Sequence, residues 1–192
     1  MSAPRILVFA GSAREGSYNK KLARLAADAA RQAGAEVTFL DLRDLPMPLF
    51  DEDLEAREGE HPNAKAFKAL LKASDGVILA SPEHNNTYSA LLKNALDWAS
   101  RKREGETPMQ SFRGKVALLV SASPGPFGGA RGLVHLRALL AFLGMIVLPD
   151  QLAIPAAHQA FNEDGSLKDA ARQQTLASLA ANLVSVAGKL RA

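Results

Sequence analysis

A chain of 192 residues, 47% hydrophobic and 22% charged, is one domain's worth of protein, long enough to bury roughly 70% of the surface it exposes unfolded. The absence of cysteine excludes disulfides, thiolate catalysis and Cys-ligated zinc or iron–sulfur clusters, and agrees with a cytoplasmic address. The net charge of +3 clusters only modestly, and no apolar run approaches the ~18 residues that span a bilayer, so neither nucleic acid nor membrane is an expected partner.

The opening MSAPRILVFAGS lacks the apolar core and cleavage site of a signal peptide, and its apolar run, residues 6–10, reads as a first strand. It leads straight into Gly11-Ser12-Ala13-Arg14-Glu15-Gly16-Ser17-Tyr18-Asn19. Small residues, hydroxyls, an amide and a guanidinium thus gather at the start of a helix, whose free N–H groups and dipole attract an anion. Gly11 and Gly16 have the spacing of a Walker A loop, but Ser17 and Tyr18 stand where Lys and Ser or Thr would be needed. The dinucleotide fingerprint G-x-G-x-x-G is absent too, so the loop suits a mononucleotide phosphate. An ordinary Gly/Ser turn, capped by Ser17 or Asn19, is the structural alternative.

The helix that follows keeps Leu22, Leu25, Ala26, Ala29, Ala30 and Ala33 on one face and stops at Gly34. A strand over 37–40 and a polar connection over 51–62 precede a second helix that begins with Phe67, Leu70 and Leu71. Strand 77–80 ends in Pro82-Glu83-His84-Asn85-Asn86-Thr87-Tyr88-Ser89, with Thr87 the expected N-cap of a helix carrying Leu91, Leu92, Ala95 and Leu96. On that helix Lys93 and Asp97 have the spacing of a surface pair, and Trp98 reads as a packing residue. Arg101, Lys102 and Arg103, followed at once by Glu104 and Glu106 with no interleaved aromatics, read as a short solvated loop. Strand 116–120, a helix through Leu133 to Leu143, Gly144, strand 145–148, a loop over 155–166 and a last helix from about 169 complete the chain. His61, His135 and His158 show no metal-like spacing with carboxylates, so no metal is assigned.

Five short strands alternating with five helices describe a single α/β domain over residues 1–192. Its sheet is doubly wound and mostly parallel, with helices on both faces. Ligands of such sheets sit beyond the carboxyl ends of the strands, where strand order reverses. That directs attention to the loops after strands one, three and four. The second of these loops presents backbone and side-chain amides suited to the edge of a flavin pyrimidine ring. His84 reads as a packing or hydrogen-bonding residue there, since flavin hydride transfer needs no general base.

Pro82-Glu83-His84-Asn85, with Leu92-Lys93-Asn94-Ala95-Leu96-Asp97-Trp98, closely resembles the P-E-Y-N-x-S-x-P-G-x-L-K-N-A-I-D-W signature of the NADPH-dependent FMN reductase family. Gly11-Ser12-x-Arg14 with Ser17 and Asn19 resembles that family's FMN-phosphate loop, and the run 42–53 resembles its segment after strand two. Ser121-Ala122-Ser123-Pro124-Gly125 with Gly128-Gly129-x-Arg131 resembles its third flavin-side loop. The chain departs from the family at His84 for Tyr, Asn86 for Gly, Thr87 for Ser and Ser89-Ala90 for Pro-Gly.

The resemblance implies a flavodoxin-like fold with strand order 2-1-3-4-5, and non-covalent FMN reduced by NADPH or NADH. Ser12, Arg14, Ser17, Tyr18 and Asn19 would hold the phosphate. Pro82, Glu83, His84, Asn85, Asn86 and Thr87 would border the isoalloxazine, with Ser123 and Gly125 on the adjoining loop. No side chain would be catalytic in the acid–base sense. Hydride would pass to the flavin, and electrons then to a small acceptor (quinone, azo dye, chromate or flavin) in the same space, a ping-pong sequence. A homodimer or homotetramer is implied, with the site near a subunit contact. The competing readings are an FMN-binding regulator and a non-enzymatic flavodoxin-like carrier. Carriers usually have acidic surfaces for docking, which a pI near 9.3 fits poorly.

Overall fold

In a computed structural model that describes residues 2–191, the expected strands form one parallel sheet of order β2-β1-β3-β4-β5. They are β1 (Arg5–Ala10), β2 (Glu36–Asp41), β3 (Gly76–Ala80), β4 (Val116–Ala122) and β5 (Ile146–Ile154). The period-2 alternation of side chains sorts the core into two layers. Ile6, Val8 and Ala10 face helices α1 (Tyr18–Gln32) and α6 (Ala170–Leu190). Leu7 and Phe9 face α3 (Pro62–Ala73), α4 (Ala90–Ser100) and α5 (Ala130–Phe142). Both faces of β1, β3 and β4 are therefore dry, which explains their unbroken apolar runs.

Local chemistry sets the helix ends. Ser17 caps α1 through the Lys20 N–H, and Gly34, at φ +89°, donates to the Arg31 carbonyl at 2.9 Å to close its far end. Asn19 then fastens α1 to the sheet. Its amide donates to the Ala122 carbonyl at 2.8 Å and accepts from the Ala122 N–H at 2.9 Å, and all four groups are buried.

Four expectations need correction. The polar connection over 51–62 contains α2 (Glu52–Glu58), which Asp51 caps through the Asp53 N–H. The N-cap of α4 is Ser89, not Thr87, because the chain first folds back through a tight turn and Ser89 Oγ then meets the Leu92 N–H at 3.1 Å. β5 continues to Ile154 because the ladder absorbs Pro149 and Asp150 in a register shift between Ala117 and Leu119 of β4, as an edge strand allows. Arg101 and Arg103 of the basic run are ion-paired rather than simply solvated, while Lys102 is exposed. Arg101 reaches Glu55 at 2.7 Å and Glu52 at 3.4 Å. Arg103 stands 2.7 Å from Glu55 without a well-aligned hydrogen bond, and 3.5 Å from Glu60.

The same network continues inward to Lys68, 4% exposed, which pairs with Glu106 at 2.6 Å and Glu60 at 3.4 Å, while Lys72 also holds Glu106. It ties α2 and α3 to the segment after α4. Burial alone would raise the Glu106 carboxyl. Hydrogen bonds from Lys68, Lys72 and the Arg103 N–H, with the Lys68 charge, overcome that and bring it down to about 2. The Lys93–Asp97 pair forms at 2.7 Å. Asn94 and Trp98 anchor the segment after β2: both donate to the Pro48 carbonyl at 2.9 Å, and Asn94 accepts from the Phe50 N–H at 2.7 Å.

Two outcomes follow for stability. Asn19→Ala orphans a buried N–H and a buried carbonyl, at about 1–3 kcal/mol each, so denaturation of the purified variant should show a loss of roughly 2–6 kcal/mol; unchanged stability would mean Ala122 finds other partners. Because the folded Glu106 pKa lies below its usual 4.5, its contribution is complete above that pH and fades as pH falls toward 2. Glu106→Gln should cost roughly 1–3 kcal/mol at neutral pH, short of a fully buried pair because Lys72 is partly exposed. That difference should shrink steadily when urea unfolding is repeated below about pH 4.5, and a constant difference would contradict the assignment.

Candidate functional site

Strand order reverses between β1 and β3. The chain leaves β1 toward α1 on one face of the sheet and leaves β3 toward α4 on the other, so a cleft opens at their carboxyl ends. The cleft measures about 740 Å³, within the roughly 300–1,000 Å³ of small-molecule sites. The loops after β1, β3 and β4 wall it.

The loop after β1 begins at Gly11, where a Cβ would sit 3.0 Å from the Leu92 Cβ and 3.4 Å from the Pro82 ring. A side chain there would crowd Leu92 of α4. Ser89 Oγ donates to the Gly11 carbonyl at 2.6 Å and fixes the approach. From there Ser12, Arg14, Ser17, Tyr18 and Asn19 all line one end of the cleft. The N–H groups of Tyr18 and Asn19 belong to the first turn of α1 and have no intrahelical acceptor. The Asn19 amide is already engaged with Ala122, so it shapes this end rather than presenting a free side chain.

Arg14 lies over the Tyr18 ring at 5.2 Å and has no carboxylate partner among the described residues. Tyr18 in turn stacks on Phe161, with centroids 6.2 Å apart and planes at 7°. Behind the loop, buried Lys20 pairs with Asp41 at 2.6 Å and donates to the Ala13 carbonyl at 3.4 Å. Burial would raise the Asp41 carboxyl. The Lys20 hydrogen bond, the Arg43 N–H and the charges of Lys20 and Arg24 together bring it below its ordinary value. The Lys20–Asp41 pair is close to neutral, so among the described residues that line this end Arg14 is the cation without a carboxylate partner.

The loop after β3 supplies the opposite wall. Pro82, Glu83 and His84 line the cleft. His84 and Thr87 exchange two backbone hydrogen bonds, at 2.8 and 3.0 Å, around Asn85 at φ +50° and Asn86 at φ +66°. Two consecutive left-handed residues define a type I′ turn, and Asn is the non-glycine residue that best tolerates them. Asn85, Asn86 and Thr87 stand beyond the cleft lining, as does Gly125. The Glu83 carboxylate points to α5, where it accepts from the Gly132 N–H at 2.9 Å and from Arg131 at 3.0 Å.

The third loop contributes Ser123, together with Ala122 and Pro124. Sequence reasoning missed Ala90 and Leu91, which give the floor its apolar character, and Ser89, which was readable as a cap directly before an apolar helix. Trp98 is buried and packs edge-on against Phe50 at 5.1 Å, away from the cleft lining. Among the described residues no group of three or more His, Asp or Glu side chains stands close enough to hold a metal ion, and no helix is long and apolar enough to cross a membrane.

A cationic, donor-rich end joined to a partly apolar compartment fits a flavin mononucleotide. Comparison with known proteins points the same way. Residues 4–159 match the NADPH-dependent FMN reductase family. The NAD(P)H-dependent FMN reductase of Pseudomonas aeruginosa is 37% identical over 166 residues, covering 86% of this chain and 85% of that protein. An NADPH:quinone oxidoreductase of Arabidopsis thaliana is 34% identical over 194 residues, covering 96% and 94%. Among solved structures, a flavoenzyme NAD(P)H:(acceptor) oxidoreductase from Paracoccus denitrificans superposes with a TM-score of 0.80 at 28% identity, covering 97% of this chain and 98% of that one. The chain belongs to the NADPH-dependent FMN reductase family, and is a flavodoxin-like oxidoreductase that uses FMN and NAD(P)H.

Proposed function

We propose that this chain, acting as one domain, passes electrons from NAD(P)H through FMN to a small acceptor by a ping-pong sequence. The observation that carries the reading is Arg14. It is a guanidinium without a carboxylate partner among the described residues, beside the open first turn of α1, at one end of a cleft that a flavin would fill. Arg14, Ser12 and the first-turn N–H groups would hold the terminal phosphate. Pro82, Glu83, His84 and Ser123 would border the ring compartment, with the Asn85–Asn86 turn, Thr87 and Gly125 supporting it.

When bound, FMN supplies the hydride and electron chemistry. The protein positions the reactants and keeps competing ones out. His84 is exposed and hydrogen-bonds only through its backbone among the described residues, which suits a pocket residue better than a general base. Quinones, the acceptors named for several relatives, would enter the space that the nicotinamide leaves. Azo dyes, chromate and free flavin are chemically compatible with the same open compartment. We further propose a homodimer or homotetramer working in the cytoplasm. Exposed Val134, Phe142 and Ile146 along α5 and the edge of β5 offer apolar surface for subunit contact.

The phosphate end is tested by comparing two ligands that differ only there. Arg14→Ala should weaken FMN by about 10- to 100-fold, the worth of a charge-assisted hydrogen bond, and leave riboflavin nearly unchanged. Fluorescence titration of both ligands reads the difference. Equal weakening would move Arg14 away from the phosphate.

A further inference from the structure

The carboxylate of Glu83 is 10% exposed and works across the fold, on a helix 49 residues further along the chain. The N-cap of α5 is Gly129, which has no side chain to cap the helix. Glu83 takes over that task. One carboxylate oxygen accepts from the N–H of Gly132, the third residue of α5, at 2.9 Å. The other accepts from Arg131 Nε at 3.2 Å and Nη2 at 3.0 Å. A negative charge thus sits at the positive end of the helix, and its own counterion stands beside it.

The surrounding space is shaped for this contact. A Cβ on Gly129 would lie 1.9 Å from Ser121 Oγ and 3.6 Å from the Glu83 Cβ. A Cβ on Gly132 would lie 3.1 Å from the Thr87 carbonyl oxygen and 3.3 Å from both the Cβ and Cγ of Glu83. The two glycines let the Glu83 stem and the Thr87 carbonyl rest against α5. Between them runs the His84–Thr87 turn, with left-handed Asn85 and Asn86 at its tip and the two His84–Thr87 backbone hydrogen bonds closing it.

We propose that Glu83 is a positioning residue: it welds the turn after β3 to the first turn of α5 and so fixes the ring-side wall of the cleft, without contacting the flavin through its carboxylate. One consequence concerns orientation. A carboxylate already occupies the N-terminus of α5, so an entering anion is directed to α1 and Arg14, and the flavin ring to the opposite end. This inference rests on the FMN reading for its ligand, but the weld itself belongs to the protein alone.

The test uses Glu83→Gln, Glu83→Ala and Gly132→Ala. The first keeps an acceptor for the Gly132 N–H, the second removes it, and the third drives a methyl group into the contact. In the flavin-free protein, amide hydrogen exchange at Thr87 should accelerate about tenfold or more in Glu83→Ala, the scale of a lost hydrogen bond to a charged group. Amides of β1 and β4 should exchange as before. Gly132→Ala should accelerate Thr87 in the same direction, although alanine ordinarily favours a helix over glycine. Should Glu83→Ala fail to fold, this variant carries the test.

Riboflavin and FMN affinities should fall by the same factor, about tenfold, in Glu83→Ala, and Glu83→Gln should keep most of both. Unchanged Thr87 exchange in Glu83→Ala, or in Gly132→Ala if only that variant folds, overturns the weld. A Gln variant as impaired as the Ala variant, or a loss of FMN affinity with riboflavin unaffected, also overturns it. Wild-type protein that binds neither flavin would sink the FMN reading instead, and the exchange data on flavin-free protein would still decide the weld.

Discussion

The adjacency of β1 and β3 governs everything built above it. Both strands are dry on both faces, so their register is set by packing as well as by the ladder, and their ends cannot slip relative to one another. The ladder runs on past the regular strands. Gly11 N–H donates to the Ala80 carbonyl at 2.9 Å, Ser81 to Val120 at 2.9 Å, and Ser123 to Ile154 at 3.1 Å. Each of the three cleft loops therefore leaves the sheet from a hydrogen-bonded root. Because α1 and α4 depart to opposite faces, a space must remain between those roots, and Gly11 narrows it to the thickness that the Leu92 contact permits.

The cleft is electrically uneven, and the unevenness comes from which charges are already matched. Lys20 is matched by Asp41, and Arg131 by Glu83. Arg14 has no such partner among the described residues. An anion thus meets positive charge at one end only, reinforced by the first turn of α1. At the other end, Pro82 and His84 of the loop after β3 and the apolar floor from Ala90 and Leu91 suit an uncharged heterocycle. The two ends of a flavin mononucleotide differ in the same way.

The readable part of this fold was local. Helix faces, the stop at Gly34, the alternation of strands with helices and the polar loops at strand ends all follow from residues within a turn or two of one another. Contacts between distant residues were not readable from spacing. Asn19 appears as one more polar residue in an anion-binding loop, yet its amide holds Ala122, 103 residues away. Asn94 and Trp98 belong to a motif associated with flavin reductases, and both serve to anchor Pro48. Thr87 looked like a cap because it precedes an apolar helix. The tight turn at Asn85 and Asn86, visible only as two left-handed residues in three dimensions, moved that role to Ser89. Much of the family signature therefore encodes the scaffold around the cleft, and fewer of its side chains line the cleft than the motif alone suggests.

One cleft serving two reactants in turn is the core of this account, and steady-state kinetics test it most directly. On the proposed ping-pong sequence, initial rates of NADPH oxidation by the FMN-loaded protein, measured at several fixed quinone concentrations, should give parallel double-reciprocal lines. Intersecting lines would mean that both reactants are bound at once, and the single shared site would be contradicted.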